Sequence, residues 1–190
     1  ALDLAGLVAA LRETSPQARI AVLNDANAAA LGEAWLGSGN ATGGTVMVTL
    51  GTGVGAGVVI GGNVIAGAHG AAGEIGHLNV EPNETEACNC GCHGCLEQYA
   101  SARGLIRLYL EECEADGAER VEIAHATDAL AVFEAARSGN AQATHACERL
   151  GRYLARALAA VAVTVDPDAF VVGGGMSGGW DTFGQTCLDH

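Results

Sequence analysis

Four of the chain's seven cysteines fall within a single short stretch, Cys88-Asn89-Cys90-Gly91-Cys92-His93-Gly94-Cys95. From 80 to 95 there is neither helical nor strand periodicity, so this stretch has no core of its own to fold around. A Cys-x-Cys-x4-Cys loop can instead wrap three thiolates round one tetrahedral ion, and zinc favours such a set. Free thiols at this density would be an oxidation liability. Spacing leaves the fourth ligand open among Cys92, His93 and the upstream His77. So tight a cluster reads as metal chemistry in a reducing compartment rather than as a disulfide framework. No basic, apolar leader opens the sequence, and a cytoplasmic location is expected.

Around this loop, apolar runs of two periods alternate. Residues 4–11 are apolar at helical spacing, and Ser15-Pro16 breaks the run. Residues 19–23 read as a short strand leading into Asn24-Asp25, and 26–36 return to helix. Residues 45–50 and 54–60 read as strands on either side of Gly51-Thr52-Gly53. Gly61-Gly62-Asn63 then makes a hairpin-type turn into 64–65. Residues 96–113, 128–137 and 141–165 are helical, and 168–172 form a strand entering Gly173-Gly174-Gly175. Strands and helices that alternate predict an α/β layered fold. The length of 190 residues, 49% of them hydrophobic, suffices for a sizeable core in one or two domains. The acid-rich run 111–122 reads as a solvated helix end and loop.

Charge narrows the partners. The net charge is −13 and all nine basic residues are Arg. With no basic stripe to release counterions, the chain is not a binder of a nucleic-acid backbone. No stretch is long and apolar enough to span a membrane. A Lys-free acidic surface would suit high salt, although GC-rich coding also favours Arg over Lys.

Four motifs carry chemistry, the cysteine loop being one. Leu50-Gly51-Thr52-Gly53-Val54-Gly55 lets the backbone approach a phosphate closely, with the Thr52 hydroxyl and N–H at hand. The GxxxxGK[ST] mechanism is excluded, because the chain has no Lys. Val171-Val172-Gly173-Gly174-Gly175 is a second strand-to-glycine turn, of the kind that receives a nucleotide at a helix N-terminus. Asn24-Asp25 stands at a strand-to-helix junction and reads either as a helix cap or as a carboxylate that accepts a proton from an attacking alcohol. In Gly73-Glu74-Ile75-Gly76-His77, Glu74 and His77 are three apart and can face one side of a turn; a surface Glu and a satisfied His are the plainer alternative.

In this order the motifs resemble the ROK sugar kinases and their relatives. The residues that carry the resemblance are Asn24-Asp25-Ala26-Asn27-Ala28-Ala29-Ala30-Leu31-Gly32-Glu33, the 50–55 turn, and Gly70-Ala71-Ala72-Gly73-Glu74-Ile75-Gly76-His77. Cys88-x-Cys90-Gly91-x2-Gly94-Cys95-Leu96-Glu97 and the 171–175 turn complete it. The resemblance covers about 22–177; its cysteine block is highly specific, its glycine turns are not.

The resemblance implies the actin-like, ribonuclease H-like ATPase fold, two α/β lobes with sugar and ATP in the cleft between them. Residues 1–36 would end the N-terminal lobe, and 37–190 would form the C-terminal ATPase lobe with its zinc loop at 77–97. It implies Asp25 as catalytic base, with Asn24, Asp25, Glu74, His77 and Glu97 around the sugar. Zinc would be held by His77, Cys88, Cys90 and Cys95. Gly51, Thr52 and Gly53 would contact ATP phosphates, and Gly173, Gly174 and Gly175 the adenosine side. The expected reaction is ATP- and Mg²⁺-dependent phosphorylation of a hexose, first of all glucose at its 6-hydroxyl, by a homodimer or homotetramer. Kinases for N-acetylglucosamine, N-acetylmannosamine or fructose are alternatives, as is a sugar-responsive repressor, which would need an upstream helix-turn-helix domain. The family's upstream Asp-x-Gly-Gly-Thr hairpin is not among these residues. A fragment lacking that hairpin and the extreme C-terminus is therefore expected.

Overall fold

The computed structural model describes residues 3–20, 22–125 and 128–190. Helix α1, Leu4–Thr14, is capped by Asp3, whose carboxylate accepts the Gly6 N–H at 3.0 Å. Its apolar stripe Leu4, Leu7 and Leu11 stays exposed. The run 19–23 was expected to be a strand. Its described residues are not, and Ala21 lies outside the described residues. No strand lies beside the described part to pair its backbone, so Val22 and Leu23 remain exposed and β-type composition alone makes no ladder.

Helix α2 spans Asp25–Leu36. Strands β1 (Gly44–Leu50) and β2 (Val54–Ile60) pair antiparallel in register from Gly44 with Ile60 to Leu50 with Val54. The Gly61-Gly62 turn, with both residues at positive φ, returns the chain as β3 (Asn63–Val64). Strand β4 (Ala169–Gly173) joins β1 in parallel, so the sheet order is β3-β2-β1-β4. The expected helix over 96–113 is two helices, α3 (Glu97–Ala100) and α4 (Ala102–Asp116). Ser101 interrupts them with extended backbone and caps α4, its Oγ accepting the Gly104 N–H at 3.1 Å. Helices α5 (Ala129–Arg137), α6 (Ala141–Val165) and α7 (Trp180–Asp189) complete the chain.

The period-2 alternation of β1 sorts the layers. Val46, Val48 and Leu50 point into the main core with Leu105, Leu108, Tyr109, Val132, Phe133, Leu150, Leu154 and Phe183, from the helices α4 to α7. Met47, joined by Val59 of β2, points the other way, against Ala30 and Ala34 of α2. The sheet is therefore covered on both faces, as the α/β reading expects. The acid-rich run is not all solvated. Glu111 and Glu112 turn towards α6 and hold the two terminal nitrogens of Arg149 at 2.8 and 2.9 Å.

Candidate active site and metal loop

Asn24 has extended backbone and its Oδ1 accepts the N–H groups of Ala26 and Asn27 at 2.9 and 3.2 Å, so Asn24 is the cap of α2. Asp25 is the first helical residue. One of its oxygens accepts the Ala26 N–H at 2.9 Å, and the other has no hydrogen-bond partner among the described residues. A carboxylate in the first turn is favoured by the helix dipole. The helix that carries it lies almost backbone to backbone on β2: a Cβ at Gly57 would stand 2.6 Å from the Ala30 Cβ and 2.8 Å from the Ala26 carbonyl.

The sheet brings the two glycine turns to the same end, because β1 and β4 are parallel neighbours and both run into glycine. Asp25, Gly51, Thr52, Gly53, Glu97 and Gly174 line one open cleft of about 340 Å³. Neither the Thr52 nor the Gly53 N–H is taken by a protein acceptor among the described residues. Glu97, at the start of α3, accepts the Val54 N–H at 3.1 Å and is fixed at the rim of the turn. Gly174 needs its lack of a side chain: it sits at φ +87°, and a Cβ there would overlap the Leu50 backbone. Gly51 and Thr52 also border a second cavity, of about 490 Å³, with Gly175, Met176, Phe133, His125 and Asp128. Gly173 ends β4, opposite Thr49.

Glu74 is exposed and lines a separate, mainly apolar groove with Val58, Leu78 and Val161 rather than the Asp25 cleft. The next residues form a 3₁₀ turn, Ile75–His77, packed under β2 so closely that a Cβ on Gly76 would overlap the Val54 carbonyl. That turn delivers His77 to the cysteine loop. Ligand atoms of His77, Cys88, Cys90 and Cys95 all lie within 4.8 Å of one another. Cys88 Sγ is 3.9 Å from His77 Nδ1, and the Cys90 and Cys95 sulfurs are 3.6 Å apart. A tetrahedron built on Zn–S bonds of about 2.3 Å has edges of about 3.8 Å, so a zinc ion fits the set. Burial pushes the Cys95 thiol up to about 12, so an ion binding there would displace its proton. Cys92 and His93 stand outside the quartet. His93 bridges to Ala87, and its carbonyl accepts the Asn79 side-chain N–H at 2.8 Å.

A polar hub that the sequence reading missed anchors this loop. Glu84 accepts the Tyr99 hydroxyl at 2.6 Å and an Arg107 N–H at 2.7 Å. Arg107 lies 4.8 Å over the Tyr99 ring, and Tyr99 stacks on Tyr153 of α6 at 4.0 Å. Burial works against the charge of Glu84, but the Tyr99 hydroxyl, the Glu86 N–H and Arg107 outweigh it and hold the carboxyl at about 2. Gln98 is a second anchor: its Oε1 accepts the Cys95 N–H at 3.0 Å and its Nε2 donates to the Glu86 carbonyl at 2.9 Å. Partners 15 and 23 residues from Glu84 leave no local signal in the sequence.

Comparison with known proteins matches residues 2–183 to the ROK family. The chain is 39% identical over 175 residues to a glucokinase of Halalkalibacterium halodurans, covering 90% of this chain and 53% of that protein. It is 38% identical over 184 residues to an N-acetylmannosamine kinase of Escherichia coli, covering 96% and 58%. Among solved structures it superposes on a ROK family glucokinase from Streptomyces griseus in complex with glucose and AMPPNP, at 34% identity and a TM-score of 0.77. That match covers 94% of this chain and 59% of the other. The chain thus spans a little over half the length of the curated relatives it matches.

Proposed function

Because the chain belongs to the ROK family, we propose that it is the larger part of an ATP-dependent sugar kinase, with glucose as the first candidate substrate and its 6-hydroxyl as the acceptor. The observation that carries this reading is the single cleft shared by Asp25, the Gly51-Thr52-Gly53 turn, Glu97 and Gly174. In-line phosphoryl transfer needs a base on the attacking hydroxyl and fixed donors around the transferred group. Asp25 takes the first part: its free carboxylate oxygen accepts the sugar hydroxyl proton as the oxygen attacks the γ-phosphorus and the bond from that phosphorus to the β,γ-bridging oxygen breaks, releasing ADP. The unclaimed N–H groups of Thr52 and Gly53 take the second, pointing fixed dipoles at phosphate oxygens, with Mg²⁺ accompanying the nucleotide. Adenosine would occupy the cavity beyond the turn, against Gly175.

Asn24, Glu97 and His77 are assigned to sugar hydroxyls, and Glu74 with them, although the groove it lines here is a separate one. Zinc is assigned to His77, Cys88, Cys90 and Cys95; it would fix one His77 ring nitrogen and leave the other to hydrogen-bond the sugar. Residues 1–36 are assigned to the end of an N-terminal lobe and 37–190 to the ATPase lobe of a two-lobed, oligomeric cytoplasmic enzyme, although α2 packs here directly on the sheet of the second. The test is ATP turnover by the full-length protein across a panel of hexoses, with glucose expected to give the highest kcat/KM. Preference for N-acetylmannosamine would keep the chemistry and change the substrate. Sugar binding without any ATP turnover would refute the kinase reading in favour of a sugar-responsive repressor.

A further inference from the structure

We propose that Gln98 is the positioning residue of the metal loop, tying the backbone at Cys95 to the backbone beside Cys88 and thereby setting the loop's affinity for its ion. The inference rests on the zinc reading given above. Helix α3 is only four residues long, yet three successive side chains on it have separate tasks. Glu97 reaches the Val54 N–H in the cleft, Gln98 reaches the loop, and Tyr99 reaches Glu84.

The Gln98 amide is used in both senses. Its oxygen accepts from the N–H of Cys95, itself one of the quartet, and its nitrogen donates to the carbonyl of Glu86, two residues before Cys88. Its own backbone is pinned as well: the N–H donates to the Cys95 carbonyl at 2.9 Å, and the carbonyl accepts from Arg107 at 3.3 Å. Only a side chain with a donor and an acceptor at this reach can close both links. Leu closes neither, and Glu can accept from Cys95 but offers a second acceptor to the Glu86 carbonyl. Outer partners that hold metal ligands in place are typically worth about 10- to 100-fold in metal affinity.

The experiment measures zinc dissociation constants by competition with a chromogenic chelator, for the full-length protein and its Gln98→Leu, Gln98→Glu and Glu86→Ala variants. Gln98→Leu and Gln98→Glu are expected to bind zinc about 10- to 100-fold more weakly. Glu86→Ala is expected to match the parent, because Gln98 bonds the Glu86 backbone carbonyl and the Glu86 side chain is largely exposed, 3.9 Å from Arg107. Co²⁺ in place of zinc supplies a readout that a general loss of stability does not move. The thiolate-to-cobalt and ligand-field bands of Gln98→Glu, the near-isosteric variant, should shift away from those of the parent while its urea midpoint without metal stays the same. Unchanged zinc affinity in Gln98→Leu, or parent-like cobalt bands in Gln98→Glu, overturns the role of Gln98 alone. A parent chain that takes up no zinc overturns the metal reading itself.

Discussion

Glu84→Gln removes one charge from the hub between the cysteine loop and the helices, and its cost follows from the geometry. The Glu84 side chain is 9% exposed and that of Arg107 25%. Breaking a fully buried pair costs about 3–5 kcal/mol, and an exposed pair is worth about 0.2–1 kcal/mol. This pair lies between those limits, and Gln can still accept one hydrogen bond, so about 2 kcal/mol is expected at pH 7. Linkage gives a ceiling: a carboxyl held at about 2 instead of 4.5 contributes at most about 3 kcal/mol at neutral pH. The folded-state value lies below the unfolded one, so the contribution is complete above pH 4.5 and drains away as pH falls towards 2. Urea unfolding of parent and variant, at pH 7 and pH 3 with a chelator present throughout, reads this directly. The gap between the two proteins should shrink by roughly half or more at the lower pH. A gap under about 0.5 kcal/mol at pH 7, or one equal at both pH values, would refute the reasoning and reduce the hub to an ordinary surface pair.

Asp25→Asn in the full-length protein should lower kcat by about 10²–10⁴-fold. Because Asn24 makes the cap, the unfolding midpoint should hardly move; turnover within a few-fold of the parent would leave the proposed mechanism without a base. Protein purified without added metal should carry one zinc per chain by elemental analysis, and Cys90→Ser should lose it. Full occupancy in His77→Ala would contradict the assigned quartet. Gly76→Ala should cost about 1–3 kcal/mol in urea unfolding, since its Cβ would overlap the Val54 carbonyl; a neutral result would mean that the 3₁₀ turn shifts freely.

Strands β1, β2 and β4 and the helices α2, α5 and α6 were legible because their apolar periods run for several residues inside one element. The cysteine cluster was legible because three of its four members are neighbours in sequence. Choosing His77 over Cys92 or His93 took the resemblance, because the spacing of thiols says nothing about a turn that ends eleven residues upstream. What stayed hidden depends on contacts across the fold. Residues 19–23 have strand composition, but their described members have no strand partner among the described residues, and Ser101 looks like any helical residue until its hydroxyl is seen capping Gly104. The pairing of Glu111 and Glu112 with Arg149 crosses from α4 to α6, so the first two residues of an acidic run read as solvated lie in a half-buried seam. Gln98 has no local pattern at all; its importance is entirely in what it reaches.

The near-contact of α2 with β2 has a consequence for how such a molecule can diversify. With Gly57 lying against Ala30 and the Ala26 carbonyl, helix and sheet meet there with no side chain between them, and the position of Asp25 inherits the stiffness of the sheet. The glycine turns and the loops that face it answer to other anchors: Glu97, Gln98 and the hub at Glu84. Those loops can be lengthened, reshaped or exchanged to suit a different acceptor while the carboxylate stays where it was. On the proposed kinase reading, reactivity and selectivity are in this way mounted on separate supports, and altering the second does not require rebuilding the first.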